Sequence, residues 1–224
     1  MWVAISAIAA VLQRKVWLDW GNIFYPNMYV VLVAPPGRAR KGTAIAPMLK
    51  FLTRLSIPLA AESITREALI QAMKEAESVV TLKNGSSLVH ASLTVVSPEL
   101  TVFLGYNNNT LLSDLTDWFD CRDTWQYRTK NSGTDDITGI FLNLLGATTP
   151  DLLRTTLPLD AIGGGLTSRM IFIYERDKGK VVPLPFLSAD DKQLGEDLLH
   201  DLSNINTLKG SFSATPAFLS YYAD

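Results

Sequence analysis

Cysteine is almost missing from this chain: Cys121 is the only one among 224 residues. That scarcity excludes an intrachain disulfide and a thiolate metal cluster. Histidine is nearly as rare, and His90 and His200 are too few for a zinc site without several carboxylates. Neither sign of charge dominates. Twenty basic against 22 acidic residues leave a net charge of −2, which excludes a strongly basic nucleic-acid coat but allows a local basic groove. Long apolar runs are also lacking. Met1 to Leu12 (MWVAISAIAAVL) resembles the apolar core of a secretory signal, yet no basic residue precedes it. Gln13-Arg14-Lys15 stands where a cleavage site should lie, and the run is too short to span a bilayer. It predicts a buried N-terminal helix in a soluble, cytoplasmic protein with no membrane partner.

What the chain does have is apolar material, at 47% of residues against 19% charged. A chain of this length can bury about 70% of its unfolded surface, so disorder is excluded and no staple is needed. The pattern alternates helix and strand. A helix over 2–14 leads to a strand over 15–20, a Gly21-Asn22 turn and a continuous apolar strand over 28–34. A helix from Thr43 to Leu55 follows, then a short strand at 58–61, with Ser63 as the expected N-cap of ITREALIQAMKEAES. Val79–Lys83 and Val89–Val96 flank Asn84-Gly85, a strong hairpin signal. Helices are expected after Pro98-Glu99 and over Leu111–Phe119. TWQYRT at 124–129 reads as an exposed strand, with a turn at 130–133 into an apolar strand over 137–145.

Three glycines, 163–165, precede a strand over 169–174. Beyond Pro183 and Pro185 an amphipathic helix over 188–206 carries Leu194, Leu198, Leu199 and Leu202 on one face. This order predicts an α/β fold, a three-layer core with a mostly parallel sheet. It divides into an N-terminal helix and hairpin at 1–26, the core at 27–186, and an incomplete helical appendage at 187–224. The apolar, aromatic end SFSATPAFLSYYAD is expected to pack against something and reads as cut short from a longer protein.

The most informative segment is VVLVAPPGRARKGTAIAP, in which an apolar strand runs into a Pro-Gly loop and Lys41-Gly42-Thr43 opens a helix. Glycine lets the backbone approach phosphate oxygens, and unpaired N–H groups at a helix N-terminus bind the anion. A lysine reaches the terminal phosphates and a hydroxyl coordinates Mg²⁺. The candidate phosphate-binding set is Pro36, Gly37, Arg38, Ala39, Arg40, Lys41, Gly42 and Thr43. The match to GxxxxGK[ST] is incomplete: Ala34 stands at the first glycine, Arg40 stands before the lysine, and the loop Gly37–Lys41 is one residue longer than in GPPGxGK. An ordinary strand–turn–helix with surface Arg and Lys is the alternative.

PPGRARKGTA, AAESITREALI, VSPELTVFLG, SDLTDWFDCRD, LLGATTPDLL and GGGLTSRMIFIYE together resemble a family of phage and prophage P-loop ATPases, over roughly 1–186. Members are often described as primase–helicase or replication ATPases. The resemblance implies a P-loop NTPase core of the AAA/RecA type that binds ATP and Mg²⁺. It further implies action on single-stranded or forked DNA in the host cytoplasm, as a homo-oligomer.

Against that family, Glu99 matches the glutamate that polarises water and supports the metal, while Pro98 replaces the usual aspartate. Glu62 is the competitor, because RecA-like enzymes carry their glutamate after the strand that follows the phosphate-loop helix. GIFLNLLGATTP resembles a sensor strand, with Thr148 first and Thr149 second as the polar residue near the terminal phosphate; Thr149 is also a good helix cap. Arg169 resembles the arginine that AAA-type proteins present to a neighbour's nucleotide, its alternative being a plain Arg–carboxylate pair.

Other residues point to structure. Asp114, Asp117 and Asp120 form a solvated face rather than a metal site, Cys121 is no nucleophile, and His90 is a structural histidine. Trp125, Tyr127, Arg128 and Lys130 give a mild single-strand-binding signal or an ordinary hairpin. Three functions compete: a Mg-ATP hydrolase, a degenerate nucleotide- or DNA-binding module without turnover, and a nucleotide kinase. For the kinase the chain shows no arginine-rich lid.

Overall fold

The computed structural model describes residues 1–106, 108–129, 133–157, 165–177, 179 and 186–223. Helix α1 (Trp2–Leu12) leads through a 3₁₀ turn (Gln13–Lys15) to β1 (Val16–Asp19), β2 (Ile23–Phe24) and β3 (Tyr29–Val33). Next come α2 (Lys41–Arg54), α3 (Arg66–Glu75), the hairpin β4 (Glu77–Thr81) and β5 (Ser87–Ser97), α4 (Leu100–Leu104) and α5 (Asn109–Phe119). The hairpin β6 (Thr124–Thr129) and β7 (Gly133–Thr138) precedes β8 (Ile140–Thr148), α6 (Pro150–Thr156) and β9 (Met170–Tyr174). Helix α7 (Ala189–Asn206), β10 (Gly210–Phe212) and α8 (Pro216–Ala223) follow.

The central sheet has the order β4-β5-β8-β3-β9. β5, β8, β3 and β9 run parallel, and β4 is an antiparallel edge. β3 lies inside, so both of its faces are covered. Tyr29, Val31 and Val33 pack into one core with α3, α4 and α5. Val30 packs into the other with Ala7, Ala10 and Val11 of α1, Ile45, Met48 and Leu52 of α2, and Leu202 of α7. This is why β3 reads as an unbroken apolar run. The expected mixed α/β fold with a mostly parallel sheet is what the chain adopts, and the N-terminal helix is buried as expected.

Several local expectations are corrected. Thr65, not Ser63, caps α3, its side chain accepting from the N–H of Ala68. The strand expected at 58–61 reduces to one parallel bridge, Leu59 to Thr94, held by hydrogen bonds from Ala60 N to Thr94 O and from Thr94 N to Pro58 O. The apolar run 137–145 is two strands, because Gly139 (φ +66°) turns the chain between β7 and β8. Helix α2 starts two residues before Thr43, so Pro47 falls in its second turn and denies the Thr43 carbonyl its i→i+4 bond. On α7 only Leu202 of the expected leucine face is buried, while Leu194 and Leu198 stay exposed. Residues 130–132 of the expected turn, Gly163 and Gly164, and Pro183 and Pro185 lie outside the described residues.

The two ends of the chain meet, which no local pattern announces. β10 pairs in parallel with β1, Val16 opposite Gly210 through Leu18 opposite Phe212. α8 brings Phe218 and Tyr222 to Trp20, ring centroids 6.2 and 5.1 Å away, so the aromatic C-terminal segment does pack. Lys15 Nζ donates to both the carbonyl and the side-chain oxygen of Asn206, at 2.6 Å each, closing the C-terminal end of α7. Burial, with Lys209 nearby, lowers the Lys15 pKa to about 8. Asn143, fully buried in β8, accepts from Met28 N and donates to Ser6 O, each at 3.2 Å, tying α1 to the sheet.

His90 is structural, as expected. Its ring nitrogens meet the hydroxyls of Ser92 (2.8 Å) and Ser78 (3.2 Å). Burial, aided by the charges of Lys15 and Arg14, lowers its pKa from 6.5 to about 4. The folded state thus disfavours the proton that the unfolded chain takes up below pH 6.5. Stability present above pH 6.5 is lost as pH falls toward 4, by about 2 kcal/mol at pH 4.5. Urea midpoints at pH 7 and 4.5 should separate by less in His90→Gln than in the wild type, because glutamine cannot titrate.

Candidate functional site

In an open parallel sheet, ligands bind beyond the carboxyl ends of the strands, where neighbouring connections diverge. Here β3 leads toward the β5 side through α2, whereas β8 leads through α6 toward β9 on the other side of β3. α2 and α6 also lie on opposite faces, since Ile45 and Met48 belong to one core and Leu153 packs against the other. The divergence falls between the ends of β3 and β8, where Ala34 N donates to Thr148 O at 3.2 Å.

The loop carrying the phosphate-binding candidates leaves β3 at this point. Gly37 has φ +69°, and Arg40, immediately before Lys41, is held left-handed at φ +50°. The motif has glycine at that position; an arginine there costs about 1 kcal/mol or more of backbone strain. The chain therefore keeps a glycine-like backbone where the sequence departs from the pattern. No side chain caps the N-terminus of α2. Its first N–H groups and the positive end of its dipole face the loop.

Lys41 folds back, Nζ donating to the Ala34 carbonyl at 2.7 Å. Arg38 reaches across the loop to Asp177 at 3.0 Å, both side chains exposed. A cavity of about 500 Å³ opens here, lined by Ala34, Ala39, Arg40, Lys41, Thr43 and Ala44 on one side and by Ile173, Glu175 and Asp177 on the other. Sequence reading missed the second wall. Glu175 follows the last residue of β9, and its N–H donates to Val33 O at 3.1 Å; only the parallel pairing of β3 with β9 brings it to the loop.

The remaining candidates divide between the two edges of the sheet. Thr148 ends β8 and is buried beside Ala34, its hydroxyl 3.4 Å from Thr149 O. Thr149 caps α6, accepting from Leu152 N. Glu99 lies two residues past the end of β5, exposed, at the start of α4. Glu62 is exposed just beyond the Leu59 bridge, on the far side of β5. These residues share the carboxyl edge with Lys41 and Thr43.

Arg169 does not. It sits in a 3₁₀ turn rather than opening the strand, at the amino end of β9, where Met170 pairs with Tyr29. About four residues of strand, roughly 13 Å, separate that end from the loop. There it holds Asp120 with contacts of 3.0–3.1 Å and donates to Gly165 O. This is the Arg–carboxylate pair, and it takes Arg169 away from its own chain's loop.

The other sequence signals resolve into structure. Asp114 pairs with Arg66, Asp117 with Arg122 and Asp120 with Arg169, so each carboxylate of that row has a guanidinium. Among the described residues, no group of three or more His, Cys, Asp or Glu could hold a metal. Cys121 is buried, which pushes its thiol up to about 12 and keeps it protonated. Trp125 and Tyr127 are not displayed for bases: Trp125 packs on Trp118, and Tyr127 stacks on Trp125 and carries the Arg66 guanidinium over its ring. Among the described residues, no helix is long and apolar enough to cross a membrane. No protein-family model and no curated protein matches this chain.

Proposed function

We propose that the chain is a nucleotide-binding P-loop protein that binds ATP with Mg²⁺ and hydrolyses it in DNA replication, as the resemblance to phage replication ATPases implies. The observation that carries the nucleotide reading is the convergence of Lys41 and the uncapped start of α2 on one cavity at the carboxyl end of a buried parallel strand. Lys41 exchanges the Ala34 carbonyl for β- and γ-phosphate oxygens. The Thr43 hydroxyl, with Glu99 through water, would hold Mg²⁺ beside the phosphates, and the bound ion would supply charge neutralisation for phosphoryl transfer. Thr148 senses the terminal phosphate from the adjacent strand.

Arg169 lies too far from its own loop to act there, so its catalytic role would be toward a neighbouring copy, after release from Asp120. Single-stranded or forked DNA remains the proposed partner on the resemblance alone, since the aromatic hairpin is engaged in packing. The second reading, a nucleotide-binding domain without turnover, is favoured by the departures at Ala34, Arg40 and Pro98.

Removing the ammonium tests the first reading. Lys41→Ala should weaken Mg-ATP binding about ten- to hundredfold, the worth of a charge-assisted contact of about 1.5–3 kcal/mol. Calorimetric titration of the folded variant beside the wild type measures it; equal affinities would remove Lys41 from the site. Wild-type turnover with and without single-stranded DNA separates the hydrolase from the silent binding domain.

A further inference from the structure

We propose that the cavity beside the phosphate loop selects ribonucleoside polyphosphates, with the Glu175 carboxylate accepting hydrogen bonds from the ribose hydroxyls; this rests on the nucleotide reading above. The placement follows from strand register. Leu32 pairs with Ile173, and the bond from Glu175 N to Val33 O extends that pairing one residue past β9. Side chains alternate along a strand. Ile173 and Glu175 therefore share the face of Leu32 and Ala34, over which α2 lies, and all four line the cavity.

The lining mixes three kinds of group. Arg40, Lys41 and the start of α2 bring positive charge, Leu32, Ala44 and Ile173 are apolar, and Glu175 and Asp177 bring carboxylates. Asp177 is already paired with Arg38 at 3.0 Å and approached by Arg176 at 3.9 Å. A nucleic-acid strand carries phosphate along its whole length and would run its charge past the Glu175 carboxylate. Inorganic polyphosphate would meet the same repulsion and leave the apolar residues bare. The complementary ligand is anionic at one end only, with a flat apolar body and hydroxyl donors between, which describes a nucleoside polyphosphate.

Of the two carboxylates, Asp177 already holds Arg38 at the outer rim, 3.0 Å away. Glu175 accepts from the N–H of its neighbour Arg176 at 3.1 Å, which uses one of its roughly four lone-pair sites. A volume of about 500 Å³ suits a ligand of this size. A carboxylate paired with a ribose diol is also how dinucleotide folds recognise the sugar.

The test compares ATP, 2′-deoxy-ATP, 3′-deoxy-ATP and inorganic triphosphate by calorimetry at fixed Mg²⁺. ATP should bind about tenfold more tightly than at least one deoxy analogue, as expected for a hydrogen bond to a charged acceptor in an open site. Glu175→Ala should erase that preference while triphosphate affinity stays the same or rises. Glu175 is exposed, so the variant should fold, and the wild-type comparison of ATP with the deoxy analogues decides without it. Equal binding of ATP and both deoxy analogues would overturn the ribose assignment and leave the nucleotide reading intact. A preference that survives in Glu175→Ala would also overturn it. If neither ATP nor triphosphate binds the wild type, both readings fall.

Discussion

Replacing Gly139 by alanine is expected to destabilise the fold by about 3–5 kcal/mol, enough to lower the urea midpoint severely. Two costs add. Gly139 has φ +66°, where a Cβ is strained by about 1–2 kcal/mol. The new Cβ would also stand 2.6 Å from Val89 O, 2.9 Å from the His90 Cα and 2.8 Å from Arg14 Nη1. The first two are backbone atoms of β5. They cannot retreat without stretching the bond from Ala91 N to Gly139 O, now 2.9 Å. Arg14 is also fixed, its guanidinium held by Cys121 O and Asp123 at 2.7 Å each. Gly85→Ala serves as the reference: Gly85 has φ +83° but nothing within 4 Å of the added Cβ, so it should cost only the backbone strain. Equal losses in the two variants would show that the overlap is relieved by a small shift of β5.

Glu99→Gln should keep Mg-ATP binding and reduce turnover by about 10²–10⁴, the range for loss of a general base. Glu99 and Glu62 both stand at the carboxyl edge, and sheet order ranks them. Glu99 follows β5, two strands from β3, whereas Glu62 follows the bridge on the far side of β5, three strands from β3. Each strand adds about 4.8 Å. Glu99 is therefore the nearer to a phosphate held by Lys41, with α4 starting directly after it. Single-turnover assays of Glu99→Gln and Glu62→Gln decide the matter. Normal turnover in the first with loss in the second would transfer the base to Glu62. A wild type that binds ATP but never hydrolyses it, with any nucleic acid, would leave neither residue a catalytic role.

Features legible in the linear chain are those whose causes are local. The apolar run that becomes β3, the Asn84-Gly85 hairpin and Thr149 at the start of α6 each follow from a few adjacent residues. The loop from Ala34 to Lys41 belongs with them, because strand, turn and helix start are contiguous. Its candidate residues Ala39, Arg40, Lys41 and Thr43 line one cavity. Other features depended on pairings between distant segments, and there local patterns carry no information. Strand order put Arg169 at the amino edge beside Asp120 rather than at the loop. Helix packing turned Trp125 and Tyr127 into the protein, and β1 found its partner in β10, nearly two hundred residues away. The second wall of the cavity is of the same kind: Ile173 and Glu175 reach Lys41 only because the backbone bonds of β9 align it with β3. The sequence determined most of the strands, helices and turns, since φ/ψ preference and apolar period act over a few residues, but the Leu59 bridge, the break at Gly139 and β10 depended on distant partners. Tertiary structure alone decided which charges face the loop after β3, since that is set by the register of parallel strands far apart in the chain.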